Sequence, residues 1–181
     1  MTTPPSSLPY RPNVLAVFFK TIANCERCMK IPKNTLLDKC DLVDAHCRVL
    51  VGLRSDKRGW QFPQGGIDFP TDATPKDALL REIKEELGLD PADYEIKHML
   101  GQPIYYEFDP SNVNRFLKLF RGQEQFWFAC LLNSPHLPDL SKATDDEFID
   151  VKWVSPSQAL DGIVPFKRAA YVEGLTQLGL L

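Results

Sequence analysis

No apolar run in this chain is long. The strongest, Val14 to Phe19, stops far short of the roughly 20 residues that a membrane-spanning helix needs. Neither sign of charge dominates. The 21 Lys+Arg face 24 Asp+Glu, a net charge of −3, which excludes gripping nucleic acid by bulk charge and leaves only a local basic patch for that purpose. The first nineteen residues carry one basic side chain, Arg11, and no charged-then-apolar order, so no signal peptide is expected and a cytoplasmic location is. Five cysteines are an odd number for an untargeted chain, which argues against a disulfide framework. Internal repeats and linker-like shifts of composition are absent too. What remains is 181 residues, 44% hydrophobic and 25% charged, the composition of one globular domain able to bury roughly 70% of its unfolded surface.

Residues 1–9 are small, polar and Pro-rich and read as a flexible tail, leaving 10–181 as the domain. Val14–Phe19 and Arg48–Leu53 read as buried strands, separated by a cysteine-bearing stretch, 21–47, that lacks a clear period. Arg54 to Arg58 is a basic turn, and Trp60 to Ile67 enters a loop through Pro63 and the Gly65-Gly66 pair. The clearest helix follows. Thr74 is a good N-cap, Pro75 suits the first helical position, Leu79, Ile83 and Leu87 recur every fourth residue, and Gly88 stops it. Further strands are expected at Glu95–Leu100, Ile104–Phe108, Gln125–Leu132 and Phe148–Val154, with helices at Pro156–Leu160 and Phe166–Leu178.

The chemistry concentrates on the clear helix. Glu82, Glu85 and Glu86 fall within an arc of roughly 100° over two turns, read as lying opposite the apolar face. Three carboxylates so close repel one another unless a cation sits among them, and a hard divalent ion such as Mg²⁺ takes oxygen ligands of this kind together with substrate phosphates. An acidic helix face in solvent is the plainer alternative for these glutamates alone. The flanks weigh against it: a rigid turn, Trp60-Gln-Phe-Pro-Gln-Gly-Gly-Ile67, lies upstream, and the glutamates stand within Arg81-Glu-Ile-Lys-Glu-Glu-Leu-Gly-Leu89. Residues 65–89 resemble the Nudix box, whose pattern is Gly, five residues, Glu, seven residues, then Arg-Glu-apolar-x-Glu-Glu-x-Gly-apolar. Residues 81–89 match it fully. The first half departs: Gly65 and Arg81 enclose fifteen residues where the family has thirteen, and Ala73 stands where the family has its first Glu. Asp72 is the candidate substitute.

Other strings resemble the bacterial RNA pyrophosphohydrolases, a Nudix subfamily that also includes dinucleoside polyphosphate hydrolases. They are Tyr10-Arg-Pro-Asn-Val14, Trp60 to Gly66, Gly122-Gln-x-Gln125 followed by Trp127-Phe128, Glu147-Phe148 and Pro165-Phe-Lys-Arg168. The resemblance implies an α/β/α sandwich with a mixed sheet and a loop-helix-loop catalytic motif. It implies Mg²⁺, with Mn²⁺ as a substitute, held by Glu82, Glu85, Glu86 and the Gly65 carbonyl. Glu147 would be a distant fourth carboxylate that ligates a further metal or orients water. Arg11, Arg54, Val164, Phe166 and Lys167 match positions that contact an RNA 5′ end. Arg11 and Phe166 can sandwich a base, and Arg54 and Lys167 can neutralise phosphate. Gln123 and Gln125 are open between positioning a base and pairing on a strand.

The implied activity is hydrolysis of RNA 5′ triphosphate or diphosphate ends by activated water, without a covalent intermediate. The alternative substrate is a dinucleoside polyphosphate such as diadenosine tetraphosphate. A reading of another class is a catalytically silent module that binds nucleotide or a protein partner. The expected protein is a monomer with neither DNA nor a membrane as partner. Cys25-x-x-Cys28, with Cys40, Cys47 and neighbouring His46, is read first as free or buried thiols, next as structural Zn²⁺ and last as a disulfide. Cys130 reads as a buried thiol.

Overall fold

The six residues Val14–Phe19 are all at most 2% exposed, and strand geometry sends alternate side chains to opposite faces, so both faces of their strand must be covered. Val14, Ala16 and Phe18 enter one apolar cluster, and Leu15, Val17 and Phe19 enter another. The structure is a computed structural model that describes residues 8–21, 43–109, 119–134 and 136–181. Most of the expected tail (1–7), most of the 21–47 stretch, and Cys25, Cys28 and Cys40 lie outside the described residues.

That central strand is β1 (Tyr10–Thr21). It runs parallel to β7 (Gly122–Leu132) in unbroken register from Tyr10↔Gly122 to Phe19↔Leu131. Its other edge is shared. β4 (Gln64–Gly66) pairs antiparallel with Asn13–Leu15, and β2 (Cys47–Arg54) pairs antiparallel with Phe19–Thr21. Outside β2 lie β3 (Trp60–Gln61) and β8 (Phe148–Val154). Outside β7 lie β5 (Tyr94–Met99) and β6 (Ile104–Glu107), which completes one mixed eight-stranded sheet. A short α1 (Val43–His46) leads into β2, and its Asp44 accepts from the Ser157 backbone N–H at 2.9 Å, tying it to α3 (Pro156–Ala159).

Two longer helices cover the sheet. α2 (Pro75–Leu87) lays Leu79, Ile83 and Leu87 on the cluster of Val14 and Phe18. Its ends follow the residues: Thr74 and Asp77 form a reciprocal capping box, and Gly88 takes the left-handed conformation at φ 68°. α4 (Pro165–Gln177) covers the other face through Tyr171 and Leu175. Tyr171 stacks on Phe62 at 5.1 Å and meets Trp127 edge-on at 5.3 Å.

The expected α/β/α arrangement is what forms. The stretch read as a loop, Trp60–Ile67, holds two short strands. Their glutamines and glycines carry little strand propensity, and the exposed edges of β1 and β2 recruit them. Cys130 is fully buried, and burial pushes its thiol well above its ordinary range. Cys47 is buried as well.

This topology gathers the start of β1, the end of β2, β4, the start of β7 and the start of β8 at one end of the sheet. The first turn of α4 joins them, because Phe166 packs 5.9 Å from Tyr106 of β6.

Candidate active site

Glu82, Glu85 and Glu86 fan outward from the apolar stripe rather than standing opposite it. Glu86 lies about 20° from Leu79 around the helix axis, at the edge of the stripe. Exposure follows that angle: Glu86 is 2% exposed, and the side chains of Glu82 and Glu85 are 12% and 36% exposed. Strand β4 covers Glu86, whose Oε2 accepts the Gln64 backbone N–H at 2.9 Å. Burial, then the charges of Glu82 and Glu147, raise its carboxyl well above the usual range. Burial also pushes Glu82 up to about 7, against the pull of Arg81.

Arg81 is the hub of this side. Its Nη1 donates to Glu82 Oε1 and Glu85 Oε2, both at 2.8 Å, and its Nη2 to the Gly66 carbonyl at 2.8 Å. Its Nε and Nη2 grip Asp72 at 3.1 and 2.7 Å. Asp72 is 2% exposed and also accepts the Asp68 backbone N–H at 2.8 Å; the Arg81 guanidinium holds its carboxyl below the ordinary range. Gly65 lies so close to Glu82 that a Cβ there would overlap the carboxylate. At Gly66 a Cβ would collide with the Arg11 guanidinium, which places Arg11 over the same turn.

The other side is built on β2 and the loop before β8. Arg54 Nη1 donates to Glu147 Oε1, which also accepts from Gln61 Nε2 at 3.2 Å. The loop is pinned to both sides: Ser55 N–H bonds the Glu147 carbonyl at 2.8 Å, and Thr144 N–H bonds the Glu85 carbonyl at 2.9 Å. Arg54, Val164 and Lys167 line one cavity of about 20 Å³ with Tyr171. Burial, then the charge of Arg54, lowers the half-buried Lys167 ammonium to about 8. Phe166 is partly buried against the core, and Lys167 Nζ stands 5.9 Å from the Tyr106 ring centroid. Tyr106 also feels the charge of Arg11. The structure therefore places the residues singled out for the site around one end of the sheet. Glu86 joins the two sides, since it interacts with Glu82, Glu147, Arg54 and Lys167 alike.

The donor set is hard oxygen throughout: Glu82 and Glu86, whose charge burial opposes, the more exposed Glu85 and Glu147, and a glycine turn packed against Glu82 and Arg11. That chemistry fits a divalent cation of the Mg²⁺ class. Among the described residues, no three His, Cys, Asp or Glu side chains are gathered closely enough to hold one ion, because Arg81 draws Glu82 and Glu85 while Gln64 and Arg54 draw Glu86 and Glu147.

The NUDIX domain model matches residues 40–173, well over half of the chain. The chain belongs to the Nudix family. As a Nudix enzyme it is a hydrolase of phosphoric anhydride bonds. A relative from Francisella tularensis subsp. mediasiatica, named RNA pyrophosphohydrolase, is 37% identical over 136 residues, covering 75% of this chain and 86% of its own length. A second from Francisella tularensis subsp. tularensis, with the same name, is 36% identical over the same span. The fold is similar to that of the E. coli dihydroneopterin triphosphate pyrophosphohydrolase, with a TM-score of 0.60 at 18% identity over 91% of this chain and 96% of that one. It is also similar to a C. elegans Ap4A hydrolase, with a TM-score of 0.56 at 16% identity over 90% and 93%.

Within the Nudix box, the position of the departure and its neighbour face different ways. Ala73 is exposed, whereas Asp72 points inward and pairs with Arg81. Sequence reasoning missed Asp56, Gln61 and Tyr106. Asp56 left a signal, as the one carboxylate in the basic turn Arg54-Ser-Asp-Lys-Arg58. Gln61 lay within the resembling string Trp60 to Gly66 without being singled out, and Tyr106 left no signal, since only pairing across the sheet carries it to the site.

Proposed function

We propose that this Nudix hydrolase removes pyrophosphate, or phosphate, from the 5′ end of triphosphorylated or diphosphorylated RNA. The observation that carries this reading is the meeting, at Glu86, of a carboxylate cluster with a cationic cavity formed by Arg54 and Lys167. One half suits a metal and the other suits phosphate. The name shared by relatives at 36–37% identity supports RNA as the polyphosphate's carrier.

Glu82, Glu85, Glu86, the Gly65 carbonyl and Glu147 would hold Mg²⁺, or Mn²⁺ in its place. When bound, the metal supplies charge neutralisation at phosphate oxygens and acidifies water. The chain's own residues do the rest. Arg54 and Lys167 neutralise phosphate oxygens, the guanidinium being suited to a bidentate contact. Arg11 and Phe166 stack the base with little regard to its identity, and Val164 closes the cavity beside Lys167. Glu147 orients the attacking water and takes its proton. A new P–O bond forms, one anhydride bond breaks, and the leaving phosphate or pyrophosphate carries away the electron pair. Residues 10–181 act as one catalytic unit, with 21–47 inserted between its first two strands. The enzyme works as a cytoplasmic monomer with no DNA or membrane partner.

The test is a competition. Purified protein with Mg²⁺ is given triphosphate-ended RNA together with diadenosine tetraphosphate, against a Glu86→Gln control. Faster release of pyrophosphate from the RNA, lost in the control, is the expected outcome. Preference for the dinucleotide moves the assignment to dinucleoside polyphosphates, and turnover of neither sinks both in favour of a silent binding module.

A further inference from the structure

Arg54 is gripped from the side. Its Nε donates to Asp56 Oδ1 at 3.0 Å and its Nη2 to Asp56 Oδ2 at 2.8 Å, the two-point geometry that fixes a guanidinium plane. A guanidinium has five N–H bonds. Asp56 takes one from Nε and one from Nη2, and Glu147 takes one from Nη1, so one N–H on each terminal nitrogen remains for a ligand.

The turn that makes this grip is itself constrained. Arg54 N–H bonds the Gly59 carbonyl at 3.2 Å, Lys57 N–H bonds the Arg54 carbonyl at 2.9 Å, and Lys57 adopts φ 58°. The Asp56 carboxylate closes the turn by accepting the Arg58 backbone N–H at 3.1 Å. It also draws in a second guanidinium, for Arg58 Nε stands 3.6 Å from Asp56 Oδ2 while the Arg58 side chain stays 73% exposed. Arg54, Arg58 and Lys167 line the same cavity. Asp56 is exposed, and exposed ion pairs of this kind contribute little to stability. Its effect is geometric, two cations aimed at one opening.

We propose that Asp56 is a positioning residue that presents Arg54 end-on to the substrate's phosphate chain, and that Arg58 is a further phosphate-contacting residue held beside it. The proposal rests on the phosphate role of Arg54 given above, and it extends to any polyphosphate this site accepts. Without Asp56 the guanidinium plane is free to turn toward Glu147 alone, and phosphate must pay to reorient it.

The experiment is a kinetic cycle on whichever substrate the wild type turns over, triphosphate-ended RNA or diadenosine tetraphosphate, so that a wrong substrate assignment shows in the wild type before any variant is read. Asp56→Asn keeps the shape and removes the charge. It is expected to raise KM about tenfold, with kcat changed less than about threefold, and Asp56→Glu is expected to recover much of the loss. In an Arg54→Ala background, Asp56→Asn is expected to have no further effect, because the aspartate acts through that arginine. Arg58→Ala is expected to raise KM about threefold and to weaken the salt dependence of inhibition by inorganic tripolyphosphate. Thermal unfolding of each variant separates folding from positioning. An unchanged KM in Asp56→Asn, or an equal loss with and without Arg54, overturns the positioning role. An unchanged tripolyphosphate inhibition in Arg58→Ala overturns the second contact.

Discussion

Two arginines organise the two sides of the site, and they are used in opposite ways. Arg81 is enclosed by Asp72, Glu82, Glu85 and the Gly66 carbonyl, all within sixteen residues of it in the chain. Arg54 joins Asp56, its neighbour on the turn, to Glu147, which lies 93 residues away. The first arginine has its donors committed inward and serves the shape of a loop and a helix. The second has two N–H bonds left over and, in the proposed function, serves a ligand. The same side chain is architecture when its partners surround it and a binding group when they flank it.

The largest effect that tests this division belongs to the carboxylate where the two sides meet. Glu86→Gln is expected to lower kcat roughly 10²–10³-fold, the scale of losing one group that stabilises developing charge. The same substitution is expected to raise the melting temperature, since it removes a buried charge that burial and its neighbours resist. A loss of both activity and stability would place Glu86 among the residues that hold the fold.

Next come the arginines themselves. Arg81→Ala strands the buried Asp72 carboxylate and is expected to cost about 3 kcal/mol in chemical denaturation. Arg54→Ala breaks pairs that are about a third exposed, and is expected to cost less than about 1 kcal/mol while kcat/KM falls at least tenfold. If the two variants lose stability alike, the contrast between them is empty.

The smallest effect is in the pH profile of the second side. With its ammonium lowered from 10.5 to about 8, Lys167 loses charge in the folded protein before it does in the unfolded chain. Between those values the unfolded chain binds more protons, so this group makes stability rise with pH through that window. Activity moves the other way. kcat/KM is expected to fall about three- to tenfold from pH 7 to pH 9 and to stay level in Lys167→Arg, whose charge persists. A profile that is equally steep in both would assign the titration elsewhere.

Local pattern was enough to read some of this. The helix bearing Arg81 declared itself through Thr74, Pro75, the Leu79–Ile83–Leu87 spacing and Gly88, because caps and periodicity act within a few residues. β1 was legible for a different reason: burial on both faces writes an uninterrupted apolar run. The strands at Trp60–Gln61 and Gln64–Gly66 were not legible, since their glutamines and glycines do not favour extension and partners far along the chain supply the reason. Within the site, the glutamates were found by spacing, but the inward tilt of Glu86 depends on β4 lying across it. The bond between Arg54 and Glu147 depends on β2 meeting β8, a pairing that no short stretch of sequence encodes.

Strand β1 also works as a spacer. Arg11 and Thr21 stand at its two ends, ten residues apart, or about 33 Å at the rise of an extended chain. Every group named for chemistry clusters at the Arg11 end, and β2 starts beside Thr21 and delivers Arg54 back to that end. Thr21 and the residue paired with it, Cys47, therefore sit at the far end of the rod from Arg11. One strand thus sets the distance between the place where the chain leaves the sheet at Thr21 and the place where Arg11 enters the site, like the two ends of a fixed ruler.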